Sequence, residues 1–207
     1  IMALLLIGVN FTGLAIIAGA LSVGIGLGLQ TIVNNFVSGL ILLLEKPIKP
    51  GDRVIVGGTE GYVKKVRIRS TQITTQDRED VIVPNSDLIT NQVTNYMFRD
   101  KIWRVKCAVG VAYGSNVELV EKLLYQVASE HEEVLQEKPH KTRVLFRSFG
   151  DSSLNFELWC IIQDVNNKHR INSELNFAID KAFRANNIEI AFPQRDIHIK
   201  GQLPETS

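Results

Sequence analysis

Apolar and polar positions along the chain fall into three regimes. From Ile1 to Leu44 apolar residues dominate and no Asp, Glu, Lys or Arg occurs. Asn10, Phe11, Thr12 and Gly13 interrupt this run with turn and helix-start chemistry, because Asn and Thr accept the unpaired N–H groups of a following helix. Ile1 to Val9 therefore read as the end of one apolar helix, and a second helix starts near Gly13. Gly13 to Gln30 would be about 27 Å long at about 1.5 Å per residue, close to the ~30 Å hydrocarbon core of a bilayer. From Thr31 the pattern becomes amphipathic without charge: Thr31, Asn34, Asn35 and Ser38 share one stripe, while Ile32, Phe36, Leu40 and Leu43 cover other directions. One straight helix to Leu44 would reach about 48 Å, so the spacing predicts a break at Gln30–Thr31, with an interfacial helix over 31–45 that can bend at Gly39.

Around the first piece, side chains sort by size. Ile16, Val23, Leu27 and Gln30 lie on one narrow face, with Ala20, Gly24 and Gly28 on one flank and Gly19, Ser22 and Gly26 on the other. Small residues let helices approach closely within lipid. Two small flanks predict a close neighbour on each side, which favours a closed ring of identical helices over a two-fold dimer. The face between the flanks would then line an axial hole, in which Val23 and Leu27 form two stacked apolar rings that exclude ions by dewetting. Ordinary transmembrane packing without a pore is the alternative. A dinucleotide-binding role for Gly24, Gly26 and Gly28 fails, since the spacing is GxGxG and no strand precedes it.

Beyond the helix, Pro47, Pro50 and Gly51 stop helical structure, and short β-rich runs follow at Arg53 to Val56, Gly61 to Arg69, Thr71 to Thr75 and Asp80 to Val83. Turn residues separate them, predicting a small all-β domain. Pro84, Asn85, Ser86 and Asp87 close the last strand and can start a short helix. From Ile102 the predicted order is strand (102–112), helix (116–131), strand (142–149), strand (154–162), helix (168–185), strand (188–192). Ser115 and Glu118 fit a capping box for the first of these helices. The βαββαβ order is that of a ferredoxin-like α+β unit. The domains read as 1–45 membrane region, 46–98 β domain, 99–193 ferredoxin-like domain, and 194–207 C-terminal strand and tail. In the last, Ile197 and Ile199 alternate with polar residues, and a lone strand of this kind would pair with copies from other subunits in a barrel.

Charge and composition narrow the functional classes. All 23 basic and 22 acidic side chains lie from Glu45 onwards, and the formal net charge is +1. A dedicated nucleic-acid binder would need a basic excess on one face. The basic excess of Glu45 to Arg69 places that side of the membrane in the cytoplasm. The uncharged run is too long for a signal peptide, and the sequence, starting at Ile1, is expected to be part of a longer protein. Cys107 and Cys160 are too few for a disulfide framework; they lie on neighbouring predicted strands and read as buried, reduced thiols. His131, His140, His169 and His198 show no metal-ligand spacing, and Ser148, Gly150, Asp151 and Ser152 form a polar loop without a nucleophile elbow. No catalytic residue, metal or cofactor is predicted.

The run Ala18 to Gly39, AGALSVGIGLGLQTIVNNFVSG, resembles the pore helix of the small-conductance mechanosensitive channel family (MscS). The resemblance continues through Pro47-Ile-Lys-Pro-Gly51-Asp52, Glu60-Gly61-Tyr62-Val63, Val83-Pro84-Asn85, Gly110-Val-Ala-Tyr113 and the C-terminal strand. It implies a homoheptameric channel of the inner (plasma) membrane, opened by tension to release ions and small solutes during hypo-osmotic shock. A cytoplasmic vestibule would lie below a broken pore helix. The two constriction rings of the family fall on Val23 and Leu27. Gln30 matches its Gln at the end of the pore-lining half, Asn35 a polar position of the second half, and Gly39 a glycine implicated in closing bends. Two departures stand out. Val23 replaces the frequent Leu, which would widen that ring. Thr31 stands at the usual glycine of the main bend, so the kink is expected to be fixed or displaced, with Gly39 taking more of the motion.

Expected partners are further copies of the chain, membrane lipid and permeating solutes, with no nucleic acid. Two other classes remain open from sequence: a membrane-anchored oligomeric ligand-binding module without conductance, and an enzyme using the Ser148 to Ser152 loop.

Overall fold

Residues 11–198 are described by a computed structural model, with side chains from Gly13. The expectation for Ile1 to Val9, and that for Ile199 onwards in the C-terminal strand, lie outside these residues. The chain divides into two compact units between Arg99 and Asp100.

In the first unit, helix α1 runs unbroken over Phe11–Glu45, 35 residues. The predicted break at Gln30–Thr31 is therefore corrected: 13–30 and 31–45 are one helix. No glycine or proline lies between Gly28 and Gly39, and threonine adopts helical backbone at small cost. The length that argued for a break is used by packing instead. Asn35, Ser38, Gly39 and Leu42, spaced i, i+3, i+4 and i+7, are the buried stripe of the last turns, whereas Thr31 and Asn34 are exposed.

A five-stranded antiparallel sheet follows, built from β1 (Arg53–Val56), β2 (Thr59–Val66), β3 (Ser70–Thr75), β4 (Asp80–Pro84) and β5 (Val93–Asn95), in the order β4-β3-β2-β1-β5. The short helix α2 (Asn85–Thr90) lies between β4 and β5. Leu42 and Ile48 enter the same core as Val54, Val56, Val63, Ile73, Val83 and Leu88, which anchors the end of α1 to this sheet. Entry from helix to sheet is fixed by Asp52, whose Oδ2 accepts from Lys49 N–H at 2.9 Å and Asn95 Nδ2 at 2.8 Å. Gly51, at φ +95°, supplies the left-handed turn that precedes it. Arg53 is buried, its Nε donating to Glu60 Oε1 at 2.8 Å; of the basic excess counted after the helix, this charge belongs to the interior.

The second unit pairs β6 (Trp103–Val111), β7 (Arg143–Phe149) and β8 (Leu154–Ile162) in the antiparallel order β6-β8-β7, with helices α3 (Val117–Glu130) and α4 (Lys168–Ala185). Strict alternation along β8 buries Leu154, Phe156, Leu158, Cys160 and Ile162 against Val120, Leu124, Ile171, Leu175 and Phe183 of the helices. The cap of α3 is Asn116, not Ser115: its side chain accepts from Leu119 N–H. The strand predicted at 188–192 is reduced to one bridge between Val111 and Ile190. Ala112 N–H donates to the Glu189 carbonyl and Ala191 N–H to that of Gly110; Pro193, without an N–H, then ends the pairing. Asp196 to His198, the described part of the predicted C-terminal strand, carry no regular structure.

Cys107 and Cys160 are both buried and free, with Cys107 Sγ donating to Asn172 Oδ1. Burial pushes the Cys107 thiol up to about 11. It pushes Cys160 up to about 12, with Cys107 adding to the effect.

Candidate functional site

Along α1, burial separates two halves. From Leu14 to Asn34 every side chain is exposed within the chain, and Val23 and Leu27 are 63% and 69% accessible. A fully buried Leu, Ile or Val is worth roughly 1.5–3 kcal/mol over an exposed one, so a helix bare on every side requires lipid or further helices around it. Among the described residues it is the one helix long and apolar enough to cross a membrane.

Both predicted flanks are open. Among the described residues, a methyl group placed on Gly19, Gly24, Gly26 or Gly28 would meet nothing within 4 Å beyond the adjoining turns of its own helix. Ala20 is equally exposed, and Ser22 turns its hydroxyl back to donate to the Ala18 carbonyl at 2.7 Å. Among the described residues, nothing packs on these small residues. Gln30 is exposed on the same face as Val23 and Leu27.

The second half is seated on the sheet. Asn35 uses both ends of its amide: Nδ2 donates to the Thr31 carbonyl at 2.9 Å, one turn back, and Oδ1 accepts from the backbone N–H of Ser86 at 3.0 Å. One turn later the backbone comes so close that a Cβ on Gly39 would overlap the Ile68 carbonyl oxygen and lie 2.6 Å from Asn85 Nδ2. Here glycine is required by close approach. Asn85, fully buried, holds the surface on which Gly39 rests. Its Nδ2 donates to the carbonyls of Arg67 and Ile68 at 2.9 and 3.0 Å, and its Oδ1 accepts from Thr71 Oγ1 at 2.9 Å.

Sequence reasoning singled out Asn35 and Gly39 but assigned neither its contact. It gave Ile68 and Thr71 no role, and it placed Asn85 and Ser86 in a helix start, with Asn85 also in the Val83-Pro84-Asn85 motif, without assigning either a contact to α1. The signal was the Val83-Pro84-Asn85 motif: Pro84 precedes the first turn of α2 and sets Asn85 facing the β2–β3 connection. The predicted stripe of Thr31, Asn34, Asn35 and Ser38 splits, because only Asn35 and Ser38 turn to protein.

Elsewhere the polar loop candidates serve local structure. Ser148 Oγ accepts from Asn155 Nδ2, Ser152 Oγ accepts from Gln194 N–H, and Tyr113 Oη donates to the Gly150 carbonyl at 2.7 Å. Among the described residues no three His, Cys, Asp or Glu side chains gather as for a metal ion.

Comparison with known proteins agrees with this architecture. The family described as "Mechanosensitive ion channel, beta-domain" matches residues 31–97, and "Mechanosensitive ion channel MscS, C-terminal" matches residues 105–190. Mechanosensitive channel MscK of Escherichia coli (strain K12) is 43% identical over 196 residues, covering 95% of this chain and 17% of its own length. An MscS family protein of Archaeoglobus fulgidus is 33% identical over 199 residues, covering 95% of this chain and 68% of its own. The crystal structure of Helicobacter pylori MscS in its closed state superposes with a TM-score of 0.89 at 30% identity, covering 97% of this chain and 78% of that one. The chain belongs to the MscS family of mechanosensitive channels. It spans only about a sixth of the Escherichia coli relative, whose remaining length has no counterpart in it.

Proposed function

We propose that α1 lines the pore of a tension-gated channel of the plasma membrane, that Val23 and Leu27 form its gate, and that the two sheet units lie in the cytoplasm. The observation that carries this reading is the division of α1 itself. Its first half is apolar and bare, with small flanks on both sides of the Val23–Leu27 face, and its second half is pinned to the sheet by Asn35 and Gly39.

Identical helices packed flank to flank close a ring, as the heterologous contact requires, and the family's heptamer is the assembly we assign. Apolar rings at Val23 and Leu27 hold the closed pore dry. Membrane tension favours the state of larger in-plane area, the small flanks let neighbouring helices slide, and the rings separate until the pore wets. Ions and small solutes then leave the cell during hypo-osmotic shock, with lipid as the only other partner. No catalytic step, metal or cofactor is involved.

Thr31 keeps the helix continuous, so the movable point is assigned to the turn around Gly39, where α1 meets Ile68 and Asn85. In the second unit, the ferredoxin-like reading assigns segment 188–192 as the fourth strand beside β6. The segment after Phe192 pairs with its copies in a barrel.

Cross-linking tests the ring directly. With Cys107 and Cys160 buried, the double variant Gly24→Cys, Gly26→Cys puts reactive thiols on opposite flanks of α1. Oxidation of the membrane-embedded protein should give a ladder of covalent species extending well beyond the dimer. A ladder that stops at the dimer contradicts the ring.

A further inference from the structure

The face of the β6-β8-β7 sheet turned away from its helices gathers cations around one indole. Trp159 is paired across the strands with Lys106 on β6 and Arg143 on β7. The Arg104 guanidinium carbon lies 4.9 Å and Lys106 Nζ 4.8 Å from the centre of its ring. Beside them is a cavity of about 300 Å³ whose lining includes Arg104, His140, Lys141, Arg143 and Trp159 and no carboxylate. Among the described residues, none of Arg104, Lys106, Lys141 and Arg143 forms an ion pair. Glu157, on the same face, is engaged by Arg147 at 3.4 Å.

These features together ask for an anion. In a chain of net charge +1, four cations gathered without a counter-charge repel one another, and the concentration is local to this face. Arginine offers a planar fork that matches phosphate oxygens, and lysine a point charge. Cation contacts already cover the Trp159 ring, so the site offers charge rather than an open face for stacking a base. The cavity is at the small end of ligand sites yet larger than a single tetrahedral anion needs.

We propose that this cavity is a binding site for an oligophosphate group, held by Arg104, Lys141 and Arg143. The group could be free pyrophosphate or the terminal phosphates of a nucleotide; both present the same chemistry to these residues. The assignment does not depend on whether the helix conducts.

Isothermal titration of the full chain in detergent, with pyrophosphate, with ADP and with sulfate, tests it. The expected result is saturable binding of pyrophosphate or ADP, about tenfold or more tighter than sulfate. The tighter of the two identifies the source, and equal affinities mean that only the phosphates are read. Arg104→Gln combined with Arg143→Gln should weaken binding about tenfold or more, whereas Arg147→Gln, outside the cavity, should leave it unchanged. Trp159 is one of two tryptophans, so Trp103→Phe should retain a ligand-dependent change in fluorescence. Sulfate binding as tightly as both phosphates would reduce the site to general Coulomb attraction. Absence of saturable binding, or binding indifferent to the double variant in protein with an unchanged unfolding midpoint, overturns the proposal.

Discussion

Asn35 Oδ1 accepts a hydrogen bond from the backbone N–H of Ser86, 51 positions along the chain, at 3.0 Å. The same amide donates to the Thr31 carbonyl, so one side chain ties the second half of α1 to the first turn of α2. Any motion that lifts α1 off the sheet must break this link or carry α2 with it.

Asn35→Ala removes both bonds and leaves the Ser86 N–H without its partner, at an expected cost of about 1–3 kcal/mol. The chemical unfolding midpoint should fall. In pressure recordings the half-activation pressure should shift while unitary conductance stays the same, because Asn35 is turned to the sheet rather than to the Val23–Leu27 face. The exposed neighbour variant Asn34→Ala should change the midpoint little.

Gly39 and Gly24 should respond oppositely to added bulk. A Cβ at position 39 collides with backbone, which cannot swing aside as a side-chain tip can, so Gly39→Ala should destabilise the fold by about 1–3 kcal/mol or more. Gly24→Val meets nothing within the chain. Its secondary structure and monomer stability should match the parent, and its effect should appear in assembly or in the pressure needed for opening. Equal effects of the two on monomer stability would contradict the distinction.

Both cysteine thiols are held protonated by burial, at about 11 for Cys107 and about 12 for Cys160. Thiolate is the reactive form, so neither should react appreciably with a maleimide in native protein near neutral pH. Mass spectrometry should find both modified after denaturation and neither before it.

Glu174 is held by Arg170 and His131. Hydrogen bonds from Arg170 Nη1 at 2.9 and 3.0 Å hold its carboxyl below the ordinary 4.5, with His131 contributing, and Arg170 also pairs with Glu133. A depressed carboxylate pKa stabilises the fold above the unfolded value. That contribution is lost as pH falls through the folded value. The unfolding midpoint should therefore fall as pH drops below the ordinary carboxylate value of 4.5, and Glu174→Gln should lose part of that fall.

What sequence made legible follows the range of the interactions involved. The apolar helix, the helix predicted at 116–131 and the strand predicted at 154–162 are local patterns, and each appears where its pattern placed it. The predicted break at Thr31 came from a length limit that holds for a helix crossing lipid alone. It failed because the last turns of α1 pack Leu42 into the sheet core. β5, three residues pairing with β1, carries too little pattern to be seen. Ser115 and Asn116 are both good caps, and only backbone geometry selects Asn116. Asn35 and Gly39 could be picked out by type and position, but Ser86, Ile68 and Asn85 are contacts made across long stretches of sequence. Nothing in the local pattern near residue 68 marks its carbonyl as the surface a glycine must meet.

In the proposed channel, tension opens a pore gated at Val23. Patch recording of the full-length protein in liposomes under stepped suction, comparing the parent with Val23→Asp, tests it most directly. A carboxylate in the narrow ring should hydrate it, so the parent should show discrete pressure-activated steps and the variant a lower threshold or spontaneous opening. Correctly assembled parent protein that passes no current up to patch rupture, or a variant with an unchanged threshold, would contradict the account.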